Sequence, residues 1–230
     1  MVKKNYKLKK TIVILLVSFF SITAKAQHFG VNIDAGMSYL YGVYAPNKSK
    51  PQLYYGLGMF YTKLSTNSKW GYRAGLDFNK KGAKIVYEGD SWDGYIESTT
   101  TLSTNYLNLT FTPTLNASKN LQFFLGPHID YILGNKEETI VTIYKTDTKQ
   151  QVLETITSKN KNNGISFSDC ISYGIKVGAN IKLSNHVDIG LCYQYSRLLK
   201  YGSPYYQPYY HIVNITTNIY FKSRKNAVEN

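Results

Sequence analysis

The sequence predicts an all-β chain closed as an eight-stranded antiparallel up-and-down transmembrane β-barrel. Three observations carry this. Eight stretches alternate apolar and polar residues with period two, as strands with one apolar and one polar face do. The links between them alternate between short and long, which is the layout of barrels that cross a bacterial outer membrane. Glycine then favours one face: of 17 glycines, 11 lie in these strands (30, 36, 56, 58, 71, 75, 126, 134, 174, 178 and 190), and each takes the polar side.

Residues 1–26 read as a cleaved signal peptide. Lys3, Lys4, Lys7, Lys9 and Lys10 precede an apolar run from Thr11 to about Thr23, and Ala24-Lys25-Ala26 offers a small-residue cleavage site. The run is shorter than the ~20 apolar residues of a spanning helix. Residue 27 is Gln rather than Cys, so no lipid-modified N-terminus is expected. Without the leader, 21 basic against 14 acidic residues leave a charge of +7 instead of +13, a modest bias that requires no nucleic acid. The remaining 204 residues suffice for one all-β domain, and any membrane crossing must be by strands. The expected organisation is a barrel over 27–221 and a short basic periplasmic tail over 222–230.

The strands follow in order. Residues 28–41 oppose Phe29, Val31, Ile33, Ala35, Met37, Tyr39 and Tyr41 to Gly30, Asn32, Asp34, Gly36 and Ser38. Residues 52–62 oppose Leu53, Tyr55, Leu57, Met59 and Tyr61 to Gly56 and Gly58. Residues 70–81 set Trp70, Tyr72, Ala74, Leu76 and Phe78 against Gly71, Arg73, Gly75, Asp77 and Asn79. In 106–115, leucines 107, 109 and 115 with Phe111 and Pro113 face away from Asn108 and three threonines. Residues 121–134 and 171–183 repeat the pattern, with Gly126, His128 and Asp130 in the first and Gly174, Lys176, Gly178 and Asn180 in the second. Residues 187–199 and 211–221 complete the series. Short links (STNSK, ASKN, SNH) follow the second, fourth and sixth strands. Long ones follow the first, third, fifth and seventh.

Glycine decides which face is inside. The interior of an eight-stranded barrel is just wide enough for side chains to fill. Small residues relieve crowding there, whereas the opposite face carries Trp70, Tyr72, Phe78, Phe111, Tyr131, Tyr173, Tyr193 and Phe221, too much bulk for that space. The apolar face is therefore expected to meet lipid. Tyrosines 39, 41, 55, 131, 193 and 195 gather at the long-loop end, and Trp70, Tyr72, Phe123 and Phe221 at the other. These are the two aromatic girdles of a membrane barrel. A hairpin about Asn185 sets Cys192 opposite Gly178, so Cys170 and Cys192 are expected to remain free thiols facing the lumen.

The chain resembles the PorT-like outer-membrane β-barrel family of Gram-negative bacteria. The residues carrying the likeness are GLDFNKKGAK (75–84), YLNL (106–109), GPHIDYILGNK (126–136), YGIKVGANIKL (173–183), YQYSRLLKYG (193–202) and VNITTNIYF (213–221). The resemblance implies export, an integral place in the cell outer membrane, insertion by the barrel-assembly machinery reading the last strand, and a structural or interaction role. Some relatives serve secretion and gliding. It implies no catalytic residue, cofactor or metal.

The inward set holds Asp34, Arg73, Asp77, His128, Asp130, Lys176, Lys182 and Asp188, which are expected to pair as a plug rather than a conduit. An outer-leaflet lipid-modifying enzyme is an alternative. It would use His211 with Ser203 or Ser196, because His28 and His186 map to the periplasmic end. A soluble lipocalin-like carrier would need an apolar lumen. Residues 135–164 alternate on both sides of KTDTKQ and predict an external hairpin turning near Asp147, a candidate protein-binding surface. Lys80, Lys81, Lys84, Lys136, Lys145 and Lys200 lie toward the same end, where they are expected to meet lipopolysaccharide phosphates.

Overall fold

The computed structural model describes residues 28–41, 48–64, 69–91, 94–145, 152–162, 171–198 and 209–221. Ten strands are present among them: β1 (His28–Tyr41), β2 (Lys48–Lys50), β3 (Gln52–Leu64), β4 (Trp70–Ser91), β5 (Gly94–Asn116), β6 (Leu121–Tyr144), β7 (Val152–Asn162), β8 (Ile171–Lys182), β9 (Val187–Leu198) and β10 (Tyr209–Tyr220). Eight close a ring of antiparallel ladders: β1 with β3, then β4, β5, β6, β8, β9 and β10, which returns to β1. This is the expected up-and-down barrel. The other two strands lie outside the ring, β2 beside the upper part of β4 and β7 beside the upper part of β6.

The period-two pattern sets the two surfaces. Leu53, Leu57, Leu125, Ile129, Ile175, Leu191 and Ile215 are each more than half exposed, while Asn32, Asp34, Asp77, Asn108, Asp130, Asn180 and Asn218 are at most 3% exposed. An apolar band around the whole girth with a polar core is the inverse of a soluble protein. The band faces lipid, and a lipocalin-like reading is excluded by the polar lumen.

Two expectations about the lumen need correction. Gly134 does not face it. The β5–β6 ladder shifts between Asn105 and Tyr106, leaving Leu133 as an extra residue, and Gly134 then stands opposite Asn105 on the outer face. Aromatic bulk is also not confined to the outside, since Tyr54, Phe60, Tyr106, Phe124, Tyr210 and Tyr220 are buried in the interior. Glycine makes that possible. A Cβ on Gly30 would lie 2.6 Å from the Phe60 ring, and one on Gly178 would lie 2.5 Å from the Phe124 ring.

Around EGDSWDGYIE, expected as a long loop, strand pairing instead continues from both sides, with residues 92–93 outside the described residues. β4 and β5 stay paired from Trp70↔Leu115 to Ser91↔Gly94. Gly94 has φ +147°, and a Cβ there would run into the Tyr144 carbonyl, so that position requires glycine. The hairpin expected over 135–164 is present as β6 and β7, paired from Asn135↔Asn162 to Tyr144↔Val152, with its turn outside the described residues. β4, β5, β6 and β7 thus continue beyond the barrel as a tall sheet on one side of its mouth.

Candidate functional site

The lumen is filled in three layers. At the long-loop end, Leu40, Tyr54, Ala83, Tyr210 and Ile212 pack together, with Ile85, Leu102 and Ile132 of the tall sheet lying against them. β4 bends over this end and is latched to β1. Ser38 Oγ donates to the Gly82 carbonyl at 2.6 Å, and the Gly82 N–H donates to Ser38 Oγ at 2.9 Å. At the short-turn end the Phe60 and Tyr220 rings meet edge to face at 5.1 Å. The Arg73 guanidinium lies 3.8 Å from the Phe60 centroid, and Tyr220 donates to Asp188 Oδ2 at 2.8 Å.

Between these layers lies a buried polar network centred on Asp130. Its Oδ2 accepts from Lys81 Nζ at 2.5 Å and from Ser172 Oγ at 2.7 Å, and Asn108 donates to Oδ1. Lys81 also donates to Ser196 Oγ at 3.2 Å and lies 4.6 Å from the Tyr106 ring centroid. His128 Nε2 is 2.9 Å from Ser196 Oγ, and Gln194 Nε2 donates to the same His128 nitrogen at 3.0 Å. A second group joins Asp34, which accepts from Asn32 and Asn214 at 3.3 and 3.2 Å. Nearby, Lys176 stands 3.9 Å from Asp77. Of the inward set, Lys176 and Asp77 approach each other, Asp34, His128, Asp130 and Asp188 take hydrogen bonds, and Arg73 lies over the Phe60 ring; the cation of Asp130 is Lys81, from outside that set.

Lys81, expected among the outer-end lysines, lies inside the lumen instead. It is fully buried on Asp130. The phase of β4 carried that information, because Lys81 follows Asp77 and Asn79 on the odd, inward positions. Cys192 is buried opposite Gly178 and is free, as expected; Cys170, Lys200 and Ser203 lie outside the described residues.

The arrangement can be tested against nucleophilic catalysis. That chemistry needs a histidine taking the serine proton at one ring nitrogen while a carboxylate orients it through the other. Here Ser196 and Gln194 share Nε2, and Asp130 Oδ2 is nearest that same nitrogen, at 3.7 Å. Nδ1 of His128 is buried with no hydrogen-bond partner among the described residues. Both His128 and Ser196 are at most 2% exposed, so no substrate reaches them. The pairing of Ser196 with His211 is overturned. Ser196 points into the lumen, while His211 lies on the outer wall among Tyr41, Tyr193, Tyr195 and Tyr209, with ring centroids 5.0–5.8 Å away, and bonds the Tyr193 hydroxyl through Nδ1. His186, at the short-turn end as expected, donates from Nδ1 to the Tyr220 carbonyl at 3.1 Å.

A closed ring with a lipid-facing girth and a packed polar interior defines an integral β-barrel of the cell outer membrane. Residues 25–196 match the outer membrane protein beta-barrel domain family, and the chain belongs to it. No curated protein sequence matches the chain. Among solved structures it is similar to Ail, the attachment invasion locus protein of Yersinia pestis, over 85% of this chain and 99% of that one, at 11% identity and TM-score 0.42. Neisserial surface protein A is similar over 83% and 96%, at 10% identity and TM-score 0.46. The outer membrane enzyme PagL is similar over 82% and 98%, at 10% identity and TM-score 0.35.

Proposed function

We propose that the barrel is a non-catalytic anchor that holds the tall β-sheet outside the membrane for interaction with a protein partner. The observation carrying this reading is the contrast between interior and exterior. The lumen's charged groups are buried and packed against other side chains, so transport or chemistry there has no solvent-exposed group to work with. β7, by contrast, presents an edge strand whose Val152, Leu153 and Ile156 are about half exposed. Exposed strand edges and apolar side chains are the usual material of β-augmentation and protein contact. The likeness to PorT-like barrels extends the reading to an accessory of secretion or gliding machinery, inserted by the barrel-assembly machinery after removal of residues 1–26.

A photo-crosslinker placed in intact cells distinguishes the surfaces. At Ile156 it is expected to capture a discrete protein, and at lipid-facing Leu191 to capture none. No protein adduct at Ile156 or at Tyr87, with the barrel inserted, overturns the anchor reading. The lipid-modifying alternative predicts that His211→Ala abolishes an activity on outer-leaflet lipid, and the expected result is an unchanged lipid profile.

A further inference from the structure

We infer that the outward face of the tall sheet, at its junction with the lipid belt, is a docking ledge for the phosphates of outer-leaflet lipopolysaccharide, with Lys50, Lys80, Lys84 and Lys136 as its cations. Even-numbered residues of β4 turn outward. Phe78, 48% exposed, closes the apolar series, and Lys80 and Lys84 continue it on the same face. Lys80 stands opposite Tyr55 of the aromatic girdle, with Nζ 5.5 Å from its ring centroid, which ties this lysine to the depth where lipid headgroups begin.

Strand pairing supplies the rest. β2 sets Lys50 directly opposite Lys84. Like charges directly opposite destabilise a sheet, and an anion bound between them would reverse the sign of that contribution. Lys136 joins the same face through Ser103, which pairs with both Gly82 and Lys136. At ~5 Å per strand this puts Lys136 ~10 Å across the sheet from β4, and Lys80 and Lys84 are ~13 Å apart along it. Thr101 and Ser103 add hydroxyls between the lysines. The acid in this row, Glu138, already holds Lys159 at 3.1 Å. Four cations and two hydroxyls at the upper edge of the lipid belt suit a phosphate carried by a membrane lipid. A phosphate free in solution has no reason to bind at that depth.

The ledge deepens the anchor reading and rests on the outer wall meeting lipid. Its test uses the purified full-length barrel in mixed micelles with fluorescent lipopolysaccharide as probe. Wild type is expected to bind with an affinity that falls as salt rises. Replacing Lys50, Lys80, Lys84 and Lys136 together by Gln is expected to lower the affinity about tenfold or more. Enzymatically dephosphorylated lipopolysaccharide should bind wild type as poorly as intact probe binds the variant. Lys159→Gln should match wild type. Should the quadruple variant fail to fold, Lys50→Gln and Lys84→Gln singly are each expected to lose part of the affinity. Equal binding by wild type and the folded variants overturns the ledge, as does displacement of the probe by millimolar inorganic phosphate. A heat-dependent gel shift in every protein keeps the test separate from the barrel itself, since loss of that shift in wild type would instead defeat the membrane-barrel assignment.

Discussion

Lys81 and Asp130 form a fully buried ion pair, and what happens when one partner is removed measures how far the interior depends on it. Lys81→Met leaves Asp130 with hydrogen bonds from Asn108 and Ser172 but no cation in contact, a change expected to cost about 3–5 kcal/mol. Urea unfolding in lipid vesicles checks this. The double change Lys81→Met with Asp130→Leu should recover most of the loss, because the buried charge goes with its partner. A second residue-scale test concerns packing. Gly178→Val sets a branched side chain where the Phe124 ring lies, with an expected cost of about 1–3 kcal/mol, and Phe124→Leu should relieve part of it. The inward position of every one of these groups is readable from strand phase. Their partners are not, since Lys81, Asp130 and Ser196 come from three strands and meet only once register is fixed.

Strands are where the sequence speaks most clearly, because a residue's neighbours two places away share its face. The lipid-facing band is for that reason legible residue by residue. Leu109→Arg or Ile175→Arg should therefore destabilise the barrel by about 2–4 kcal/mol near the bilayer midplane, whereas Thr110→Ser, which removes one buried methyl from the lumen, should cost about 1 kcal/mol or less. Vesicle refolding titrations measure all three, and equal tolerance would contradict the outward assignment. Two features defeat period counting. The extra residue Leu133 inverts the faces of β6 above it, so Gly134 reads as inward from below yet pairs outward with Asn105. The second is the β4–β5 hairpin. EGDSWDGYIE carries the glycines and acids of a loop, but the ladder persists up to Ser91↔Gly94, where cross-strand pairing overrides local propensity.

At the scale of the whole molecule, two structures share one chain: a hydrogen-bonded ring that needs only the lower parts of β4, β5 and β6, and a tall sheet that continues from them. The ring's ladders from Trp70↔Leu115 to Lys80↔Asn105 involve nothing above Lys81. Joining Lys84 to Thr101 through an Asn-Gly turn keeps these opposed residues in register, since that dipeptide favours a two-residue hairpin loop. The shortened protein is expected to insert and to keep its heat-dependent gel shift. Its lumen should also stay closed, because Leu40, Tyr54, Tyr106, Tyr210 and Ile212 remain and Ser38 still reaches Gly82. Planar-bilayer recordings should therefore find no stepwise conductance in either version, while the protein adduct at Ile156 weakens as β5 no longer supports β6 and β7. Conductance appearing only after the excision would mean that the tall sheet, rather than the lumen side chains, seals the barrel. The three-layer account of the interior would then be wrong.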